Sequence, residues 1–339
     1  SLLDGYYKIG KFFLIAYFIL NILTMFTIQT AVTIVTAGLA SSLFGFTDNM
    51  VIWSLIITVS CYLILLVGKY NLLDRMIKII ILILAISTII STGVASLNTS
   101  ETYTFEQVFP TDAGLVFLVA FMGWMPAPLD ISIWHSIWAI EKTKTHKITK
   151  KDSLFDFNVG YIGTVFLGIC FVSLGTLVMY NSGISFSSSG SVFAGQLIEL
   201  YTSNLGDNLY LIISICAFTT MLSTTITTLD ASPRTMSRAT QLLTKNSNKN
   251  YYFHWISILA IGTMLIFYFL LSEMGALVEI ATVLSFITAP FYAILNYKLV
   301  TSKNMPDQHK PSKLLRILSV SGILFLSFFA LGYILSRFI

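Results

Sequence analysis

The residues best suited to bind an ion lie in one stretch, residues 121–130, with the sequence FMGWMPAPLD. It contains a thioether at Met125 and a carboxylate at Asp130, on either side of the Pro-Ala-Pro sequence 126–128. A proline has no amide N–H and clashes with the preceding helical turn, so backbone carbonyls here lose their helical donors. Carboxylate and carbonyl oxygens suit hard cations, and a thioether suits softer ones. The stretch is therefore the candidate ligand site of the chain.

This stretch lies inside an apolar segment, residues 114–140, that is long enough to cross a bilayer. In hydrocarbon the freed carbonyls must be satisfied by protein, water or a ligand. A span broken near mid-depth, with an ionisable residue at the break, is typical of substrate sites in secondary transporters. The alternative is a simple proline kink with Asp130 as the N-cap of the second half. We predict a break over residues 123–129 that includes Gly123, Pro126, Ala127 and Pro128.

The composition is that of an integral membrane protein. Hydrophobic residues make up 55% of the chain, charged residues only 11%, and the mean hydropathy is +0.81; soluble domains carry roughly 25% charged residues. The apolar segments predict an all-α, polytopic membrane protein with a single transmembrane domain over residues 1–339. Nine spans are expected, at about 12–38, 50–68, 76–97, 114–140, 158–180, 208–229, 252–272, 275–297 and 315–336.

The distribution of charge predicts the orientation. If the N-terminus is cytoplasmic, all of the 20 Lys and Arg residues except Arg337 fall at the inner side, as the positive-inside rule requires. The C-terminus is then outside. The net charge of +4 reflects this topology and gives no reason to expect nucleic acid as a partner.

Polar residues on two other spans are candidates for the lining of a pathway. Gln29 lies on the first span with Thr33 and Thr36 at helical spacing, and Thr224 and Thr227 lie near the inner end of the sixth. Such residues either line a polar pathway or form hydrogen bonds between helices, and the sequence leaves both readings open.

The Met125-Pro126 pair in a broken span resembles the Met-Pro of the NRAMP divalent metal ion transporters. The linker at residues 70–78, the Ser-Thr-Thr-Ile-Thr run at 223–227 and the segment 282–290 resemble this family in order and spacing. The resemblance implies a LeuT-like fold with inverted repeats, in which the nine spans correspond to the family's third to eleventh helices. The family's first two helices would then be missing, and the chain would be an N-terminal truncation.

The resemblance also implies a set of metal ligands. They are the thioether of Met125, the backbone carbonyl of Met122, and Thr282 at a position where the family typically has Gln; Asp130 is added from the residues themselves. Ala127 stands where the family has a His linked to proton movement, and Pro128 and Asp130 are not the usual residues. Proton coupling is therefore not carried over by the resemblance, although protons remain a candidate partner.

The choice of ligand decides the expected ion. If Met125 faces the site, manganese(II) or iron(II) is favoured; if Asp130 binds the ion while Met125 packs elsewhere, a harder ion such as magnesium fits. The expected function is secondary transport of a divalent metal ion by alternating access, in a bacterial inner membrane or a plasma membrane. The alternatives are an organic-solute transporter of the same superfamily and a membrane sensor or scaffold. No enzyme motif and no resident cofactor are expected.

Overall fold

The computed structural model describes residues 1–67, 71–98, 113–143, 149–180, 187, 190–246, 248–269, 274–303 and 305–336. Within these ranges the fold consists of α-helices and two short 3-10 turns. The twelve helices are α1 (Leu2–Ile9), α2 (Lys11–Phe44), α3 (Met50–Val67), α4 (Asn71–Asn98), α5 (Ala113–Trp124), α6 (Ile131–Thr143), α7 (Lys150–Met179), α8 (Gly190–Leu205), α9 (Tyr210–Thr244), α10 (Tyr252–Phe269), α11 (Met274–Thr301) and α12 (Lys313–Ser336).

Eight of the described helices are long and apolar enough to cross a membrane: α2, α3, α4, α7, α9, α10, α11 and α12. The segment of the fourth predicted span instead forms two short helices, α5 and α6. With 12 and 13 residues, each is only about 18–20 Å long at about 1.5 Å per residue, so neither half alone crosses a bilayer core of about 30 Å. The all-α polytopic membrane fold expected from the sequence is confirmed.

Helix α2 forms the centre of the bundle, in contact with α3, α8, α9 and α11. Its residues between Asn21 and Ser41 are mostly buried and many are small or hydroxylated. At Gly38 an added side chain would overlap the backbone carbonyl of Gly190, so the glycine lets α8 approach α2 closely. Small residues at helix contacts are the usual means of close packing in membranes.

The helices at the periphery present apolar side chains outward. Phe328 and Leu324 on α12, and Phe155 and Ile162 on α7, are all exposed. Since lipid tails are the solvent for such a surface, this exposure is expected of outer helices in a membrane bundle. The polar interior lies instead where α2, α6, α9 and α11 meet, and this positions the candidate site.

Candidate functional site

The helix break lies between Trp124, the last residue of α5, and Ile131, the first residue of α6. The Met125 N–H donates to the Phe121 carbonyl at 2.9 Å and closes α5, and the Ile133 N–H donates to the Asp130 carbonyl at 2.9 Å and opens α6. The carbonyl of Met122 would receive its helical bond from residue 126, which is a proline without an N–H. Local sequence chemistry thus places a carbonyl without its helical donor at the end of α5.

The outer half of the break packs tightly against α11. An added Cβ at Gly123 would overlap the backbone carbonyl oxygen of Thr282 and lie 2.9 Å from its carbonyl carbon. The Trp124 indole N–H donates to the Ser285 hydroxyl at 3.1 Å. The structure therefore brings Gly123 and Thr282 into direct contact, with Met122 packed in the same seam. The Thr282 hydroxyl donates to carbonyls of its own helix, at 2.8 and 2.9 Å.

Met125 extends toward a different helix. Its terminal methyl lies against Gly168 of α7, in the space that a side chain at that position would fill. The adjacent Pro126 and Ala127 line a cavity of about 870 Å³ between α6 and α7, together with His135 and Asp156. The thioether is thus packed beside α7, where the lack of a side chain at Gly168 leaves room for its methyl group.

Asp130 faces the opposite side, toward α2 and α11. Its side chain is 4% exposed, and its Oδ1 atom has no hydrogen-bond partner among the described residues. The carboxylate interacts electrostatically with the phenols of Tyr17 on α2 and Tyr292 on α11. Both phenols are also buried with unpartnered hydroxyls, and their ring centroids are 6.2 Å apart. Leu129 and Ile133, on either side of Asp130, pack in the same cluster as both tyrosines. Three oxygen atoms without hydrogen-bond partners among the described residues therefore lie in one region at the start of α6.

A chain of hydrogen bonds fixes the start of α6 next to these oxygens. The Ser132 hydroxyl donates to the Leu129 carbonyl at 2.6 Å and accepts from the Asn296 amide at 2.9 Å. The Tyr6 hydroxyl donates to the Asn296 side-chain oxygen at 2.7 Å. These bonds join α1, α6 and α11, so the backbone around Asp130 is held in place by neighbouring groups that are themselves satisfied.

The Gln29 side chain lies in the seam between α2 and α9. Its side-chain N–H group donates to the Thr33 hydroxyl at 3.2 Å and to the Thr225 carbonyl at 3.4 Å, and its oxygen accepts from Thr228 at 2.7 Å. On α9 the sequence pattern indicates Thr224 and Thr227 as candidates for the lining of a pathway. In the structure Thr224 donates to its own helix, at the Thr220 carbonyl, and both side chains are half-buried. These hydrogen bonds fit one of the two interpretations of Gln29 from the sequence, in which it forms hydrogen bonds between helices.

A second buried carboxylate, Asp230, lies at the inner end of α9. It forms an ion pair with Arg234 at 2.6 Å, accepts from the Tyr252 hydroxyl at 2.7 Å and from the Trp138 indole at 3.5 Å. These contacts join α6, α9 and α10 on the side predicted to be cytoplasmic.

Nearby, Arg238 pairs with Asp4 of α1. Partial burial alone would raise the pKa of the Asp4 carboxyl, but the hydrogen bonds from Arg238 and its other partners outweigh burial and lower this pKa to about 2. Asp4 is therefore ionised at neutral pH and ties α1 to α9.

No group of three or more His, Cys, Asp or Glu side chains able to hold a metal occurs among the described residues. A cation at the break would therefore be bound by one carboxylate together with carbonyl, hydroxyl or water oxygens, unless the thioether turns toward it. Tyr17 and Tyr292 were not among the candidates from the sequence. The spacing of Tyr17 and Asn21, which extends the polar face of α2 by one turn, is the signal that could have pointed to the first of them.

Comparison with known proteins agrees with the residues at the break. Residues 7–336 match the family described as natural resistance-associated macrophage protein-like, Nramp. The chain is also 32% identical, over 345 residues, to an uncharacterized protein of Pasteurella multocida (strain Pm70), in an alignment that covers 98% of this chain and 78% of the relative. With nearly the whole chain matched, the protein belongs to the Nramp family.

Proposed function

We propose that the chain carries a divalent metal ion across the membrane by alternating access, with the ion bound at the break between α5 and α6. The family supports divalent metal ion transport in general. One observation supports the location: Asp130 is buried at the start of α6, and one of its carboxylate oxygens has no hydrogen-bond partner in the described part of the chain. An intramembrane carboxylate of this kind is costly unless it serves a ligand, a proton or a partner charge.

The ligand set favours an ion that prefers oxygen ligands. Carboxylate, carbonyl and water suit magnesium and manganese, whereas a thioether favours softer metals. Because Met125 packs against Gly168 on α7, we propose that the Asp130 carboxylate is the primary ligand. The Met122 carbonyl and Thr282 lie at the outer end of the break and would contact the ion on its way to Asp130. Manganese(II) fits this set and also the version in which Met125 turns toward the ion, so it remains a candidate cargo together with magnesium. Iron(II) fits only the version with the thioether.

The two alternative functions, transport of an organic solute and a role as sensor or scaffold, fit Asp130 and the helix break less well. An organic substrate with a carboxylate would meet the positive end of α6, but Asp130 would repel it there. A sensor or scaffold gains nothing from an interrupted span. Proton coupling is not part of the proposal, because Ala127 replaces the residue that the resemblance would require.

Uptake in proteoliposomes tests the proposal. Vesicles containing the protein and a metal-sensitive dye would be given manganese or magnesium from outside, with wild type, Asp130→Asn and Met125→Ala compared. We expect wild-type uptake that is lost in Asp130→Asn. Loss in Met125→Ala instead would move the site to the thioether. Absence of flux for every divalent metal in the wild type would overturn the transport proposal.

A further inference from the structure

We propose that the hydroxyl oxygens of Tyr17 and Tyr292 join the Asp130 carboxylate as direct ligands of the cargo ion, and that this ion is a small, hard divalent cation of the magnesium type. The inference rests on the proposed function, since it names ligands and ion class for the same site. It adds two residues, on α2 and α11, that the sequence does not single out.

The first support is the burial of three unpartnered oxygen atoms at one place. Tyr17 and Tyr292 are 0% and 1% exposed and Asp130 is 4% exposed, and the Tyr17 hydroxyl, the Tyr292 hydroxyl and Asp130 Oδ1 all lack a hydrogen-bond partner among the described residues. Buried polar atoms in native proteins are nearly always paired. Three of them in one packed region, between Leu129 and Ile133 of the chain and the two tyrosine rings, indicate that a bound species completes the site.

The second support is that the three side chains lie in one packed region of the bundle. Both phenols interact electrostatically with Asp130, and their rings meet edge to face at 6.2 Å. Ile133, one turn into α6, packs in the same cluster as both tyrosines. Thr235 of α9 lies beside the Tyr17 hydroxyl, and its own hydroxyl donates to the Ser232 carbonyl at 2.7 Å. The groups around Asp130 are thus neutral oxygens.

The third support concerns charge. A carboxylate accepts hydrogen bonds or binds a cation, and the charged form is costly in a buried position without a positive partner. Asp230 has such a partner in Arg234. Among the described residues, no ion pair involves Asp130. A bound cation supplies the missing positive charge, which a water molecule does not.

The donor types then select the ion. Tyrosine hydroxyls and a carboxylate provide oxygen alone, and the thioether of Met125 is packed beside Gly168 on another helix. Oxygen ligands suit hard cations. Calcium usually takes six to eight oxygens, whereas magnesium keeps several of its waters and is bound by a few protein oxygens. Three protein oxygens in one small site therefore fit magnesium better than calcium or a soft transition metal.

Thermal unfolding of the purified protein in detergent tests the site independently of transport. The probes are magnesium chloride and cadmium chloride, each compared with sodium chloride at equal ionic strength. A ligand that binds the folded state raises the unfolding temperature, so we expect a concentration-dependent rise with magnesium that is larger than that with cadmium. Tyr17→Phe and Tyr292→Phe should each weaken the apparent magnesium affinity by about tenfold or more.

The same variants have a second signature that distinguishes a ligand from a structural residue. Without metal, Tyr17→Phe and Tyr292→Phe remove a buried hydroxyl that has no partner, so the unfolding temperature should stay the same or rise. Tyr201→Phe is the matched control: Tyr201 is also buried, but its hydroxyl bonds to Thr88 at 3.0 Å. This variant should lower the unfolding temperature without metal and keep the full shift with magnesium.

The outcomes separate this inference from the transport proposal. A magnesium shift that survives both Tyr→Phe variants, or one that disappears in Met125→Leu, would overturn the ligand assignment even if vesicles take up metal. Absence of any magnesium shift in the wild type would overturn it as well. A shift that depends on Tyr17 and Tyr292 in a protein that transports no metal would support the site and refute transport.

Discussion

Asp130 and Asp230 are both almost fully buried, at 4% and 6% exposure, but they have opposite surroundings. Asp230 is neutralised by Arg234 and receives further hydrogen bonds from Tyr252 and Trp138. Asp130 faces two phenols and keeps an unpartnered oxygen. A carboxylate whose partners are all supplied by the protein stabilises the fold, whereas one whose partners are incomplete is available for a ligand. The two residues can therefore be used to separate folding from binding.

Replacement of Asp130 should have the largest effect on function. Asp130→Asn keeps the side-chain volume and removes the negative charge, so metal uptake should fall to the level of vesicles without protein. The unfolding temperature without metal should not fall, because a buried charge is removed. Uptake assays and thermal unfolding of the same preparation measure both. Retained uptake in this variant would contradict the role of Asp130 as a metal ligand.

Asp230→Asn should show the opposite pattern. It removes the negative charge that pairs with Arg234, and because that arginine is one-third exposed we expect a loss of about 2 kcal/mol in the free energy of unfolding, below the range for fully buried pairs. Reversible unfolding in mixed micelles would measure it. Arg234→Gln, which leaves the carboxylate with its Tyr252 and Trp138 hydrogen bonds, is the matched control and should cost less. Equal stability of Asp230→Asn and wild type would remove the contrast between the two carboxylates.

Gln29 extends the comparison to a neutral group with a full set of partners. Gln29→Leu removes the hydrogen bonds that Gln29 forms with Thr33, Thr225 and Thr228, so the free energy of unfolding should fall by about 1–3 kcal/mol. Magnesium-dependent stabilisation should be unchanged, because the ion site is elsewhere. If uptake is lost while stability is unchanged, Gln29 lines the pathway and the structural interpretation is wrong.

The position of the break was predictable because it is a local property of the chain. Pro126 and Pro128 remove backbone donors wherever they stand, so the sequence predicts an interruption over residues 123–129. In the structure Gly123 and Trp124 still belong to α5, and α6 begins at Ile131. Hydropathy likewise predicts the spans, because each must cover the thickness of a bilayer. The all-α polytopic fold follows from these two facts.

Contacts between distant parts of the chain were not predictable in the same way. The pairing of Asp130 with Tyr17 and Tyr292 depends on how α2, α6 and α11 are rotated, and a helix turns by about 100° per residue. The same rotation places Thr225 and Thr228 toward Gln29, one position later than Thr224 and Thr227. A single sequence contains the periodicity of each helix but does not specify the neighbour that each face meets.

Met125→Leu should have the smallest effect, and it bears most directly on the ion. Leucine is similar in volume, so it should keep the contact with Gly168 and leave uptake within about twofold of wild type. Gly168→Ala is the matched variant on the other side of this contact. Its new methyl group would occupy the space of the Met125 methyl and displace the thioether from α7. If the thioether is a packing group only, Gly168→Ala changes stability but not the preference for magnesium over cadmium. If displacement turns the sulfur toward Asp130, cadmium binding increases. The comparison of the two variants then measures how much the preference for magnesium over cadmium depends on the position of the Met125 sulfur.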